Sequence, residues 1–226
     1  MPDSGCKFCK YKSSAAGFLS NSELEVLENN CAQIGFKKGE VIFREGTLAT
    51  NVAYLQSGLV KIHMKGPTGE KILRLSKAPV YLGLPTTFGD KKNNYTATAL
   101  TDATICFISL DTFREFIFKN GSFAYEIILD LCRNELKDYQ KFVNMSQKQL
   151  PGRLAEILTC MSKEVFKSNY FELPLNQNEL ADFISTSRES ISRILHEFTR
   201  EGIIRINKKE ISILKEDILQ KISEKG

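Results

Sequence analysis

Six cysteines, at positions 6, 9, 31, 106, 132 and 160, carry the most reactive side-chain chemistry in the chain. Cys6 and Cys9 form a CxxC, a spacing that lets two thiolates reach one metal centre from a short turn. Such a pair ligates zinc or an iron-sulfur cluster, or acts as the dithiol of a redox enzyme. Thioredoxin-like enzymes place the motif between the strand and helix of a βαβ unit. Here Cys6 and Cys9 precede every strand that the sequence predicts, so a thiol redox enzyme is the weaker alternative. Histidine is confined to His63 and His196, too little material for a catalytic triad or a histidine-ligated metalloenzyme. The expectation is a protein that is not an enzyme. His63, in a predicted strand, reads as structural, and Cys132 and Cys160 read as helix-packing residues.

A second group of chemically suggestive residues lies near the C-terminus. A short helix over 177–184, the turn Ser185-Thr186-Ser187 and a second helix from about Ser187 to Arg200 have helix-turn-helix spacing. Counted from Gln177, Leu180, Ala181, Ser185, Ile191 and Ile194 occupy positions 4, 5, 9, 15 and 18 of that motif, the small Ala181 letting the helices approach and the isoleucines facing inward. The outward face carries Arg188, Glu189, Ser192 and Arg193. Arg matches guanine O6 and N7, Glu accepts from cytosine N4, and Ser serves either way, so this face suits double-stranded DNA. The bland alternative is a solvated face with a Glu189 to Arg193 pair one turn apart. Ile203–Ile206 and Ile211–Leu214 flank a polar turn with Lys208 and Lys209, a hairpin that makes the unit a winged helix-turn-helix with a basic tip for phosphate.

These residues need scaffolds. Ser20 to Glu23 reads as a capping box before a short helix ending near Asn29-Asn30. Between Gly35 and Gly89 lie eight of the fourteen glycines and three of the six prolines, interleaved with β-branched and aromatic runs, and the pattern continues through Ile108. That texture predicts a β-roll without helical crossovers. A short amphipathic stretch follows to Phe118, then residues 122–149 run without Gly or Pro, a helix of roughly 40 Å. Along it Tyr125, Leu129, Cys132, Leu136, Tyr139, Val143 and Ser146 alternate at steps of four and three, the seam of a homodimer. Phe123, Ile127, Ile128 and Phe142 equally suit packing on the roll. Pro151-Gly152 marks a boundary, followed by a helix over 153–165 and an extended Leu173-Pro174-Leu175. The organisation is α+β: a cysteine-containing segment 1–17, a β-roll sensor domain 18–119, a dimerisation helix 120–149 and a winged helix-turn-helix 150–226.

Composition limits the classes further. Hydrophobic residues make up 42% and charged residues 26%, an ordinary globular balance. The net charge of +4 divides into +3 over residues 1–147 and +1 thereafter, so DNA binding rests on local placement rather than bulk charge. No apolar run approaches the roughly 18 residues of a spanning helix, and no export signal is evident. A cytoplasmic protein with reduced thiols and no membrane partner is expected.

The chain resembles the CRP/FNR superfamily of bacterial transcription regulators from about residue 18 onward. Phe36-Lys37-Lys38-Gly39-Glu40-Val41-Ile42-Phe43-Arg44-Glu45-Gly46 resembles the opening of its effector roll, a cyclic-nucleotide-binding-like jelly-roll, and Tyr54-Leu55-Gln56-Ser57-Gly58 its glycine turn. Thr186 to Leu195 resembles its recognition helix. The resemblance implies that Glu189 and Arg193 read bases, that Arg188 is similar to the extra arginine of the CRP branch and Ser192 to the serine of the FNR branch, and that Thr186 and Ser187 belong to the DNA-binding set. It also implies palindromic targets and RNA polymerase as a partner. Cyclic-nucleotide members carry a Gly-Glu pair and an Arg followed by Ser or Thr, but the matching positions fall near Gly83-Leu84 and Asn93-Asn94. A buried phosphate without a cation is poorly compensated, which argues against cyclic AMP or GMP. Cys106 lies where the FNR branch has a cluster-ligating cysteine, Ser13-Ser14 stand about where a further one belongs, and Cys31 is the candidate fourth ligand. Cys6, Cys9, Cys31 and Cys106 are thus candidate metal ligands, for an iron-sulfur cluster sensing oxygen, nitric oxide or redox state, or for zinc. The competing reading makes Cys31 and Cys106 small buried hydrophobes and the CxxC a free tail. No haem-ligand pair is evident, and a β-roll interaction module that does not touch DNA is the remaining alternative.

Overall fold

The computed structural model describes residues 6–67 and 69–226; residues 1–5 of the cysteine-containing segment lie outside the described residues. The chain divides into two compact units, residues 1–69 with 73–136 and residues 70–72 with 137–226.

In the first unit, α1 (Asn21–Asn29) starts at the expected capping box. The Glu23 N–H donates to Ser20 Oγ at 3.3 Å, and the Ser20 N–H donates to Glu23 Oε2 at 2.7 Å. Strands β1 (Cys31–Phe36), β2 (Val41–Phe43), β3 (Asn51–Ser57), β4 (Leu59–Gly66), β5 (Gly69–Lys77) and β6 (Val80–Leu82) follow, then a five-residue helix α2 (Leu84–Phe88), β7 (Thr96–Ala99) and β8 (Ala103–Ser109). They form two four-stranded sheets, ordered β1-β8-β3-β6 and β2-β7-β4-β5. The roll departs from expectation at α2, where Gly83 at φ 78 and Pro85 at the helix start close a helical turn. Strand β1 is also new, because its largely exposed CAQIGF carries no apolar alternation.

Side-chain alternation gives the first sheet two functions. Ala53 and Leu55 of β3 and Ala103 and Ile105 of β8 face the core between the sheets, while Val52, Tyr54, Cys106 and Ile108 point to the opposite face. That outer face is covered by α1, by Ala15, Ala16 and Leu19, by α3 (Leu110–Lys119) and by the first turns of α4 (Gly121–Gln147).

Helix α4 sorts the two apolar stripes read from the sequence. Phe123 and Ile127 are buried on the roll, whereas Ile128 and Phe142, offered for the same packing, are 54% and 75% exposed. The seam residues Tyr125, Cys132, Leu136 and Val143 are exposed as well, Leu136 at 66%. Cys132 is therefore not a packing residue within the chain, whereas Cys160 is half-buried and its thiol pushed up to about 11, mainly by burial. No helix among the described residues is long and apolar enough to cross a membrane.

In the second unit, α5 (Leu150–Cys160) takes Pro151 and Gly152 into its first turn, where a missing N–H costs little, and runs into a π-helical turn over Met161–Phe166. Beyond it lie β9 (Tyr170–Glu172), α6 (Gln177–Ile184), α7 (Arg188–Arg200), β10 (Ile204–Asn207), β11 (Glu210–Ile213) and α8 (Glu216–Lys225). The wing hairpin pairs Ile204 with Ile213 and Asn207 with Glu210, and β9 adds a third strand in the order β10-β11-β9. Strand β9 thus precedes the Leu173–Leu175 stretch expected to be extended, and α8 was not expected.

Candidate DNA-reading face and cysteine site

Helix α7 is placed by its ends and its buried stripe. The Ser187 hydroxyl accepts from the Ser190 N–H at 3.2 Å, capping the first turn. Ser185 holds the left-handed turn at φ 57, the conformation for which glycine is usually preferred. Ile191, Ile194, Leu195 and Phe198 are buried, so the helical period turns Arg188, Glu189, Ser192 and Arg193 to solvent together. Among the described residues no ion pair joins Glu189 to Arg193. The Glu189 carboxyl is held below its ordinary range by its own backbone N–H, the Ser187 hydroxyl and the nearby Arg188 charge, and so stays an ionised acceptor. Thr186 is half-buried, its N–H bonded to the Ala181 carbonyl at 3.0 Å, and with Ser187 it shapes the helix entry. Sequence reading missed His196, exposed on the same face; its i+7 spacing from Glu189 was the available signal. Lys208 and Lys209 are exposed at the wing tip, Lys208 with φ 56.

The candidate thiol ligands come together on the outer face of the first sheet. Strand register sets Gln33, Cys106, Tyr54 and Tyr81 in one row across β1, β8, β3 and β6. Cys31 stands two residues before Gln33 and so shares its face, diagonal to Cys106. Cys6 lies in a 3-10 turn, and Cys6, Cys31 and Cys106 pack against the same outer-face core. Their nearness sets the ordering of the thiols: Cys31 is pushed up, first by Cys106 and then by Cys6 and burial, while Cys6 and Cys106 are pulled down chiefly by Cys31. Cys9 is next to this group, its Sγ accepting from Gln56 Nε2 at 3.1 Å. Gln56 Oε1 in turn accepts from Gln33 Nε2 at 2.6 Å. Among the described residues, no group of three or more His, Cys, Asp or Glu is placed to hold a metal ion. A centre held by these residues would need the four sulfurs, of the donor type that iron-sulfur clusters and zinc take, to close on one point. Cys31 and Cys106 are half-buried and pack against the apolar core of the outer face, a placement that suits a sulfur ligand and a core filler alike.

Asn93 is only 6% exposed; its Nδ2 donates to Thr47 Oγ1 at 3.0 Å and its carbonyl accepts from the Gly46 N–H at 2.7 Å. His63 is a buried core residue with Nε2 2.9 Å from Thr98 Oγ1.

A β-roll and a winged helix-turn-helix with an uncommitted polar helix face are the two parts of a transcription regulator. Residues 33–120 match the cyclic nucleotide-binding domain, and residues 152–222 match the Crp-like helix-turn-helix domain. The chain is 25% identical over 182 residues to the transcriptional activator protein FnrA of Stutzerimonas stutzeri, covering 79% of this chain and 75% of that protein. It is 23% identical over 197 residues to the CRP-like cAMP-activated global transcriptional regulator of Mycobacterium tuberculosis, covering 85% and 88%. The fold is similar to that of FixK2 from Bradyrhizobium japonicum, with a TM-score of 0.76 at 16% identity over 85% of this chain and 96% of that one. The chain belongs to the CRP/FNR family of transcription regulators, with a helix-turn-helix DNA-binding domain.

Proposed function

We propose that this regulator works as a homodimer on palindromic double-stranded DNA, together with RNA polymerase, under control of an oxygen-, nitric oxide- or redox-sensitive centre held by Cys6, Cys9, Cys31 and Cys106. The observation that carries the reading is the gathering of these four cysteines, distant in sequence, on one face of the roll. An iron-sulfur cluster supplies, when bound, a centre that oxidants dismantle. The chain's own residues do the rest: Cys31 and Cys106 offer sulfur from paired strands, Cys6 and Cys9 offer it from the segment laid over them, and Gln56 donates to the Cys9 sulfur. The same outer-face core includes Phe123 and Ile127, so a change at the thiols is felt at the root of α4. The exposed seam of α4 supports the homodimer. Cyclic AMP is not proposed as effector. The neutral, internally bonded Asn93 supports that choice, and micromolar binding of cyclic AMP in calorimetry would contradict it.

One observation favours a second reading, a dithiol switch: Cys31 packs with Cys6 and Cys106 against one core, and a disulfide with either forms when an oxidant removes two electrons and two protons. Anaerobic purification followed by visible absorption and iron, sulfide and zinc assays separates the two. A brown, iron- and sulfide-containing protein that bleaches in air and changes its DNA affinity supports the cluster. A metal-free protein that responds to oxidant through a Cys31 disulfide supports the switch. A metal-free protein with unchanged DNA binding after all four cysteines become serine refutes both.

A further inference from the structure

The segment carrying Cys6 and Cys9 is fastened to the roll at four successive points. The Cys6 N–H donates to Glu28 Oε2 at 3.1 Å, and Cys9 Sγ accepts from Gln56 at 3.1 Å. The Tyr54 hydroxyl donates to the Tyr11 carbonyl at 2.6 Å, and the Tyr81 hydroxyl shares a hydrogen bond with Ser13 Oγ at 2.7 Å. Ser13 Oγ also accepts from the Ala16 N–H at 3.0 Å, starting the 3-10 turn that buries Ala15 and Ala16. The last two fastenings come from buried phenols on neighbouring strands, directly paired in register with ring centroids 4.8 Å apart. Phenylalanine would fill the same space without burying a hydroxyl, so in both side chains the polar atom is used on the segment and nothing else in the core needs it. Tyr54 is moreover directly opposite Cys106 in the strand register, so one residue stands beside a strand-borne cysteine and holds the segment at Tyr11.

We infer that Tyr54 and Tyr81 are positioning residues: their hydroxyls latch the Cys6–Cys9 segment beside Cys31 and Cys106 before any metal arrives, so that the two pairs of thiols are kept near one another by the roll rather than gathered by a metal. The inference rests on the cysteine-site reading for what the thiols bind, while the latch itself is a property of the metal-free chain. Oriented ligands held by outer contacts bind metal more tightly than ligands that must be ordered on binding.

The test compares wild type with Tyr54→Phe, Tyr81→Phe and the double variant, all full length, reduced, metal-free and shown to be folded by circular dichroism. Trypsin reports the latch, because Lys7, Lys10 and Lys12 lie within the segment. Cobalt(II), followed by its thiolate charge-transfer absorption, reports the site. The double variant is expected to be cut in the segment about tenfold faster than wild type, as two hydrogen bonds no longer oppose local opening. Its cobalt affinity is expected to fall about 10- to 100-fold, with the single variants between. Unchanged cleavage in the folded double variant overturns the latch, whatever cobalt does. Wild-type protein that binds no cobalt contradicts the metal-site reading instead and leaves the cleavage comparison to decide the latch.

Discussion

Gly58 shows how much one residue carries in this roll. It sits at φ 98, and a Cβ there would lie 2.6 Å from the Asp102 carbonyl oxygen and 2.8 Å from Ala103 Cα. Backbone has nowhere to move, so Gly58→Ala is expected to lose more than about 1 kcal/mol in urea or thermal unfolding. Lys208 and Lys209 act at the same scale but without burial. Their joint replacement by Ala should lower the salt slope of DNA binding by about one unit for each phosphate interaction removed and leave the preferred sequence unchanged. Arg188, Glu189, Ser192 and Arg193 were legible because helical spacing alone puts them on one face opposite Ile191 and Ile194. Cys31 and Cys106 were grouped through the family resemblance and not from local pattern, since their nearness follows from the β1–β8 register, which joins residues far apart in the chain.

Elements with strong local signals were read correctly. The Ser20–Glu23 capping box, the long run of α4 beyond Gly121 without Gly or Pro and the two helices of the reading unit each announce themselves over a few residues. Strand β1 lacked alternation, and α2 hid behind Gly83 and Pro85, which read as turn residues until the roll packs them. The α1 capping box has an acid signature. The Ser20 N–H and hydroxyl hold the Glu23 carboxyl below its usual range, so its contribution is complete above the unfolded value and disappears as pH falls through the folded one. The stability difference between wild type and Glu23→Gln should therefore shrink between about pH 6 and about pH 3 in thermal melts. A difference that stays constant over that range would show that the carboxylate contributes nothing. For α4, Leu136→Asp places a charge in the seam and is expected to give monomers in sedimentation where wild type sediments as a dimer. A wild-type monomer at micromolar concentration, with or without DNA, would contradict the seam.

At the scale of the molecule, the candidate thiol ligands and the exposed face of α7 lie in different units. The near-neutral balance, +4 over 226 residues, means that DNA is held by placed groups rather than by a general field. On the proposed homodimer, a dimer axis relating two α7 helices is expected to set inverted half-sites about 34 Å apart. Each base interaction of Arg188, Glu189 or Arg193 is expected to contribute about 1–3 kcal/mol of discrimination at its own position. Selection from random double-stranded DNA tests this most directly, run on anaerobic and on oxidised protein with wild type, Glu189→Ala and Arg193→Ala in parallel. Wild type is expected to enrich a palindrome in at least one redox state, with preference relaxed at a symmetric pair of positions in each variant. No palindrome from wild type in either state, or the same enriched motif from both variants, would contradict a base-reading role for this face.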